Sequence, residues 1–305
     1  MDISINAIDH FGLIAGIFDE LGISEVIDCA LPKTRHHKAS HSAMIKAMVL
    51  NGLGFIESRL YFYSNFFIGL PTERFLGEGI SPSDLNDDAL GRTLDAIFKY
   101  GSTELFNEIA LKAMSKMAGK THLLHVDTTN FSVFGKYESD APDGTDSIEI
   151  TFGHAKDNRM DLKRFVLGMV VNQSGIPLFA QAFSGNKSDK KSLIEMIQKL
   201  RECISVDDPN YWVADSAIYT EENLKLLGKD LCWITRVPAT VGAAKSLISS
   251  ELEMTPATDP RYALHATSLD FGDIPQKAVV VWSQEMQARA EETFDKNLQK
   301  RAEQC

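Results

Sequence analysis

The stretch that decides the fold is HLLHVDTTNFSVFG, residues 122–135. A run that is apolar apart from His125 leads to one aspartate, Asp127, which two threonines and an asparagine follow. Apolar residues on both faces are typical of a strand at the centre of a sheet. A carboxylate buried there would be costly without a partner, so the sequence predicts that Asp127 meets a charged group, a metal ion or a proton.

The composition is that of a globular protein of one large or two ordinary domains. The chain has 305 residues, 44% of them hydrophobic and 24% charged, and a net charge of -11. The acidic balance argues weakly against nucleic-acid binding, because phosphate binding requires Lys and Arg. The four cysteines are scattered and no basic, apolar leader opens the chain, so we expect a reducing, cytoplasmic location and no membrane span.

The spacing of hydrophobic residues changes near residue 120 from one typical of helices to one typical of strands. Helical spacing dominates residues 1–119, including a helix that we expect Ser42 to open. From residue 121 onward three strands come first, two of them joined by a turn at 172–175, and a helix, a strand, a helix and a strand follow. We therefore predict an α/β fold: an all-helical N-terminal domain over 1–119, then a mixed-sheet domain over 120–305, in which 237–305 is less regular.

A second aspartate, Asp215 in NYWVADSAIYT, resembles Asp127 in its setting. Each acid follows an apolar strand and precedes small hydroxyl residues. If the two strands lie side by side and parallel, the carboxylates converge, repel each other and favour a divalent cation. Ligands that are all oxygen select Mg²⁺ or Mn²⁺. The alternative is that each aspartate only forms a turn or caps a helix.

Residues 150–200 are basic within this acidic chain, with eight cations and four acids. Contacts with the DNA backbone are one interpretation of these side chains, and a solvated loop edge or helix cap is the other. The candidate DNA-binding residues are Lys156, Arg159, Lys163, Arg164, Lys187, Lys190 and Lys191.

Several segments together resemble the DDE-type transposases of bacterial insertion sequences, in the IS-four superfamily and its subgroup with a long helical N-terminal domain. The similar segments are in family order and cover most of the chain: LNDDALGRTLDAIF (85–98), HVDTTNFSVFG (125–135), GHAKDNRMDLKRFVLGMVV (153–171), GIPLFAQAFSGNKSDKKS (175–192), YWVADSAIYTEENL (211–224) and WITRVPAT (233–240). The resemblance implies a ribonuclease-H-like mixed sheet with flanking helices. It carries Asp127 and Asp215 over as the first two acids of a catalytic triad that binds Mg²⁺ or Mn²⁺.

The third acid of that triad has no counterpart here. The superfamily places a glutamate within a Tyr-x2-Arg-x3-Glu-x6-Lys pattern, and no Tyr in this chain has Arg three positions later. Residues 237–305 resemble part of an insertion that precedes the catalytic helix. The expectation from the resemblance is therefore a transposase truncated before its triad is complete, inactive alone, with Glu285, Glu291 and Glu292 as the first residues to test for a substitute.

The partners expected from the resemblance are element-end and target DNA, with a homodimer in the intact enzyme. The helical N-terminal domain would bind element ends or dimerise. A catalytically silent DNA-binding or regulatory remnant of a transposase is the second hypothesis, and a metal-dependent nuclease is the third.

Overall fold

The chain divides into two compact units, Met1–Asn210 and Tyr211–Cys305. The computed structural model describes residues 8–33, 38–53, 59–117, 121–138, 148–154, 159–203, 211–228 and 231–303. The domain boundary predicted between residues 119 and 120 falls inside the first unit, and it stays a prediction.

Every regular element in the described residues up to 117 is helical, as the apolar spacing predicts. The α-helices are α1 (Asp9–Glu20), α2 (Ile23–Ala30), α3 (His41–Gly52), α4 (Tyr63–Phe66), α5 (Thr72–Leu76), α6 (Asp87–Tyr100) and α7 (Ser102–Lys116), with 3₁₀ turns at Leu60–Phe62 and Pro82–Asp84. Phe67, Leu85 and Leu90 are fully buried in one apolar cluster of this region.

The cap of α3 differs from the prediction by two residues. Ser40 caps the helix by accepting a hydrogen bond from the Ala43 amide. Ser42 lies inside the first turn, where its hydroxyl donates to the Asp28 carboxylate at 2.9 Å. The prediction that Ser42 opens the helix was wrong because two serines stand within three positions, and tertiary contact with Asp28 decided between them.

The first unit also contains an antiparallel meander, β1 (Leu123–Val133), β2 (Lys163–Asn172) and β3 (Pro177–Ser184), followed by α8 (Asp189–Cys203). The predicted turn between β2 and β3 is confirmed: the Asn172 side chain accepts from the amides of Ser174 and Ile176. A Cβ atom added at Gly168 of β2 would lie 2.1 Å from Sδ of Met196, so the glycine lets α8 approach the sheet closely.

The second unit starts with β4 (Tyr211–Ala214), α9 (Glu221–Leu227) and β5 (Cys232–Thr235), and β4 and β5 are parallel. Then follow α10 (Gly242–Ile248), β6 (Thr255–Pro256), β7 (Tyr262–Phe271), β8 (Ile274–Ser283) and the exposed α11 (Gln284–Glu303). The apolar run KAVVVWS (277–283) and the charged residues after it predict β8 and α11, whereas the sequence pattern did not predict β7 and α10.

Within the first unit, β1 to β3 form an antiparallel sheet in the order β3-β2-β1, and within the second unit β4 and β5 form a parallel pair. Helices precede the strands in the chain and alternate with the later ones, as the predicted α/β fold requires. The predicted fold class is therefore confirmed. In the described parts of the chain, no helix combines the length and apolarity that a membrane crossing requires.

Candidate metal and DNA-binding site

Asp127 lies in the middle of β1, on a face that is open to solvent. Along this strand Leu124, Val126 and Thr128 are buried, whereas His125 and Asp127 are exposed. Oδ1 of Asp127 accepts a hydrogen bond from the Thr128 amide at 2.7 Å. Among the described residues its other oxygen has no hydrogen-bond partner.

This setting corrects two expectations for Asp127. The carboxylate is exposed rather than buried, so it incurs no large desolvation cost and has no need of a compensating partner. It is also not at a strand end, because β1 continues six residues further, to Val133. An exposed aspartate in the middle of a strand neither caps a helix nor forms a turn, and neither structural alternative explains it.

Asp215 does stand at the end of its strand, directly after β4. Its Oδ1 accepts from the Ala217 amide at 2.9 Å and so caps the 3₁₀ turn Ser216–Ile218. Its backbone carbonyl accepts from the Thr235 hydroxyl of β5 at 2.7 Å. The carboxylate is exposed, and the structural role of a cap, which the sequence left open, is present.

The convergence of the two acids stays a prediction, because Asp127 and Asp215 belong to different compact units. Within the described residues, no three His, Cys, Asp or Glu side chains form a group that could hold a metal ion. The three candidate acids of α11 have partners on their own helix: Glu285 pairs with Arg289, Glu292 pairs with Lys296, and Glu291 accepts from Gln287.

Arg159 is held beside Asp161 on the exposed segment before β2. Its guanidinium donates two hydrogen bonds, each 2.8 Å long, to the two oxygens of Asp161. The hydrogen bond from Arg159 lowers the pKa of Asp161 to about 2. The pair is solvent-exposed, so a phosphate could compete for the arginine at modest cost.

Arg164 differs from the other predicted DNA-binding residues because it is fully buried. Its guanidinium donates to the carbonyls of His154 at 3.3 Å, Arg159 at 2.6 Å and Leu162 at 3.1 Å. This geometry counts against a phosphate contact and shows a structural role, which is to hold the segment before β2. The Asn130 side chain donates to the same His154 carbonyl at 2.9 Å.

The described lysines of the predicted DNA-binding set also have protein partners. Lys163 donates to the carbonyls of Lys136 and Tyr137, the latter at 3.0 Å, and no acid among the described residues pairs with it. Lys187 pairs with Glu195 at 2.8 Å. Lys156 lies outside the described residues, and the side chains of Lys190 and Lys191 do as well.

Glu195 on α8 neutralises part of the positive charge of residues 150–200. Its oxygens lie 2.8 Å from the ammonium of Lys187 and 3.4 Å from that of Lys199. Partial burial raises the pKa of Glu195, but the hydrogen bond from Lys187 and the charges of both lysines outweigh it and leave the pKa below its ordinary value. Glu195 is therefore ionised at neutral pH and neutralises Lys187.

We expect Glu195→Gln to increase DNA affinity. The substitution frees Lys187 for one further phosphate, which should steepen the slope of log affinity against log salt by about 0.9. Salt titrations with a labelled duplex measure both quantities. Glu202→Gln on the same helix removes the same charge without releasing a lysine partner, so an equal gain in that variant would point to net charge instead.

The sequence interpretation missed the aromatic side chains around the end of β1. Phe131 is 44% exposed and Phe134 is 76% exposed, although both are apolar. Phe131 lies four positions after Asp127, so the alternation of the strand places both on one face. The alternation of side chains along the strand could have indicated that Phe131 shares a face with Asp127, if β1 had been predicted to run to Val133.

Comparison with known proteins gives a family of unknown function and a distant structural similarity. Residues 3–111 match a domain of unknown function, DUF4277. No curated protein matches this chain. The solved structure of a Mos1 transposase paired-end complex with left transposon end is similar at 12% identity and a TM-score of 0.25, over 70% of this chain and 63% of that one. The match thus spans less than two thirds of the Mos1 chain, and a likeness at this score carries no argument about function.

Proposed function

We propose that this protein is a transposase of the insertion-sequence type, which cleaves DNA at element ends and joins the freed 3′-hydroxyl to target DNA. The observation that carries the proposal is the state of Asp127, an exposed carboxylate in the middle of a strand with one oxygen left without a partner among the described residues. The family-ordered segments described above and the order of the elements from β1 to β5 along the chain support it.

The immediate surroundings of Asp127 and of Asp215 would each allow the carboxylate to bind a hard divalent cation. Both offer oxygen only, both are exposed, and each is oriented by one backbone amide, of Thr128 and of Ala217 respectively. Mg²⁺ or Mn²⁺ bound there would supply charge stabilisation at the scissile phosphate. Lys163, which lies opposite Val133 near the end of β1, would add positive charge further along the strand.

The second candidate function is a DNA-binding regulatory remnant without catalysis. It is favoured because the described residues contain no group of three His, Cys, Asp or Glu side chains that could hold a metal ion. Under either hypothesis the partner is DNA, and a homodimer is proposed for the intact enzyme.

The test is Mn²⁺ binding, followed by a nicking assay. We expect the protein to bind Mn²⁺ weakly, and Asp127→Asn and Asp215→Asn each to abolish binding, because the cation then keeps only one carboxylate. Electron paramagnetic resonance of free Mn²⁺ measures this directly. Asp270→Asn, at an exposed acid on β7, is the matched control and should bind like wild type.

Nicking of DNA that carries the element ends, in Mn²⁺, then separates the two hypotheses. Cleavage that disappears in Asp127→Asn supports the transposase. Mn²⁺ and DNA binding without any cleavage supports the regulatory remnant, and wild-type protein without Mn²⁺ binding contradicts the metal site itself.

A further inference from the structure

Exposed aromatic rings lie near the end of β1 and in the residue after it, and cations contact this segment. Phe131 is on β1, on the face that carries Asp127, and Phe134 directly follows the strand. The ring of Phe131 stacks on that of Phe165 in β2, with centroids 5.1 Å apart and an angle of 9° between the planes. We call Phe131, Phe134 and Phe165 the aromatic patch.

The segment that carries Phe134 is fixed by several contacts. The Arg159 guanidinium lies 5.9 Å from the centroid of the Phe134 ring, at the distance of a cation–π interaction. Lys163 donates to the carbonyls of Lys136 and Tyr137 and ties the segment to β2. A Cβ atom added at Gly135 would lie 2.7 Å from the Tyr137 ring, so that ring folds back against the backbone beside Phe134.

An exposed Phe134 contributes little to folding, since it leaves most of its apolar surface in water. Flat aromatic faces next to Arg and Lys are the combination that binds single-stranded nucleic acids, because bases stack on the rings and the cations meet the phosphates. Two cations, Arg159 and Lys163, contact the patch or the segment that carries it. Asp161 already pairs with Arg159, which keeps that guanidinium near the ring.

We propose that the aromatic patch binds unpaired DNA bases, with Phe134 and Phe131 as stacking surfaces and Arg159 and Lys163 facing the phosphates. The inference rests on the proposed function for the identity of the ligand as DNA. Phe131 follows Asp127 by four residues on one strand, which is about 14 Å at 3.4 Å per residue. A stacked strand advances about 3.4 Å per nucleotide, so Phe131 would hold a base about four nucleotides from a phosphate at Asp127.

The experiment measures binding of the full chain to a fluorescent oligothymidine and to a duplex of equal length, by anisotropy at fixed salt. Phe134→Ala should weaken binding to the single strand about tenfold, as expected for the loss of one stacked base. Duplex affinity should stay unchanged, and Phe134→Trp should restore binding to the single strand. Phe98→Ala is the matched control, because Phe98 on α6 is 75% exposed and lies outside the patch.

A folded Phe134→Ala variant with wild-type affinity for the single strand would overturn the proposal. An equal loss in Phe98→Ala would also overturn it, and so would a wild-type chain that does not bind the oligonucleotide. The outcome is separable from that of the proposed function. If nicking fails but single-strand binding depends on Phe134, the patch stands and the catalytic proposal falls; nicking without that dependence contradicts the patch alone.

Discussion

Arg164→Ala is expected to lower the free energy of unfolding by about 3 kcal/mol or more, because it removes a fully buried side chain, leaves three carbonyls without their donor and opens a cavity. The guanidinium is fully buried and donates to the carbonyls of His154, Arg159 and Leu162. The backbone of Arg164 also exchanges two hydrogen bonds with Thr151, at 2.9 and 3.2 Å. One side chain therefore links β2 to the segments that precede it.

The midpoint of urea unfolding measures the effect, and two variants calibrate it. Arg164→Lys should lie between wild type and alanine, since an ammonium cannot reproduce the planar fork of a guanidinium. Arg159→Ala removes an arginine from the same segment but breaks an exposed ion pair, so its midpoint should stay close to that of wild type. Equal losses at positions 159 and 164 would contradict the role assigned to Arg164.

The different roles of Lys163 and Arg164 show what sequence could and could not predict about the site. As a basic pair in a row they suggest one DNA-binding feature, but neighbours on a strand point to opposite faces. The alternation could have indicated that one of them faces inward. Which one is buried depends on non-local pairing, because Ser132 of β1 and Thr151 flank Arg164 in the folded chain.

Asp127 and Asp215 also show that local features can be predicted from the sequence, whereas features set by non-local pairing cannot. Asp215 was placed correctly at the end of a strand, because the turn signal after it is local: its own carboxylate caps the next turn. Asp127 was misplaced, because hydroxyl residues after an apolar run suggested a strand end. Pairing with β2 extends β1 to Val133, opposite Lys163, and this partner lies 30 residues away in the sequence.

Strand β7, which forms a hairpin with β8, was missed because of its composition. The run HATS, residues 265–268, interrupts the larger apolar residues of YALHATSLDF, so the apolar period is weak. The available signal was Gly272–Asp273 between two extended runs. Both residues have positive φ, 64° and 62°, as a two-residue hairpin turn of type I′ requires.

Reversal of the charge in the 150–200 region is expected to abolish DNA binding. If five cations each neutralise one phosphate, log affinity falls with log salt at a slope of about −4.5, which is roughly a 500-fold loss over a fourfold rise in salt. Replacing them with glutamate removes those contacts and adds repulsion. Arg164 is left unchanged, because its reversal would report unfolding. The substituted residues are Lys156, Lys163, Lys187, Lys190 and Lys191.

The control for this variant changes the net charge equally but at scattered positions. Five lysines outside the region, none in a described ion pair, become glutamate: Lys33, Lys99, Lys116, Lys277 and Lys300. Salt titrations of duplex binding by wild type and both variants give the affinity and the slope. At moderate salt, screening limits the interaction between exposed charges to a range of about 10 Å. The variant with scattered substitutions should therefore keep most of the DNA affinity and the wild-type salt slope. Equal losses of affinity in both variants would show that binding depends on net charge alone. Unchanged affinity in the variant of the 150–200 region would indicate that the N-terminal helices contact the DNA instead.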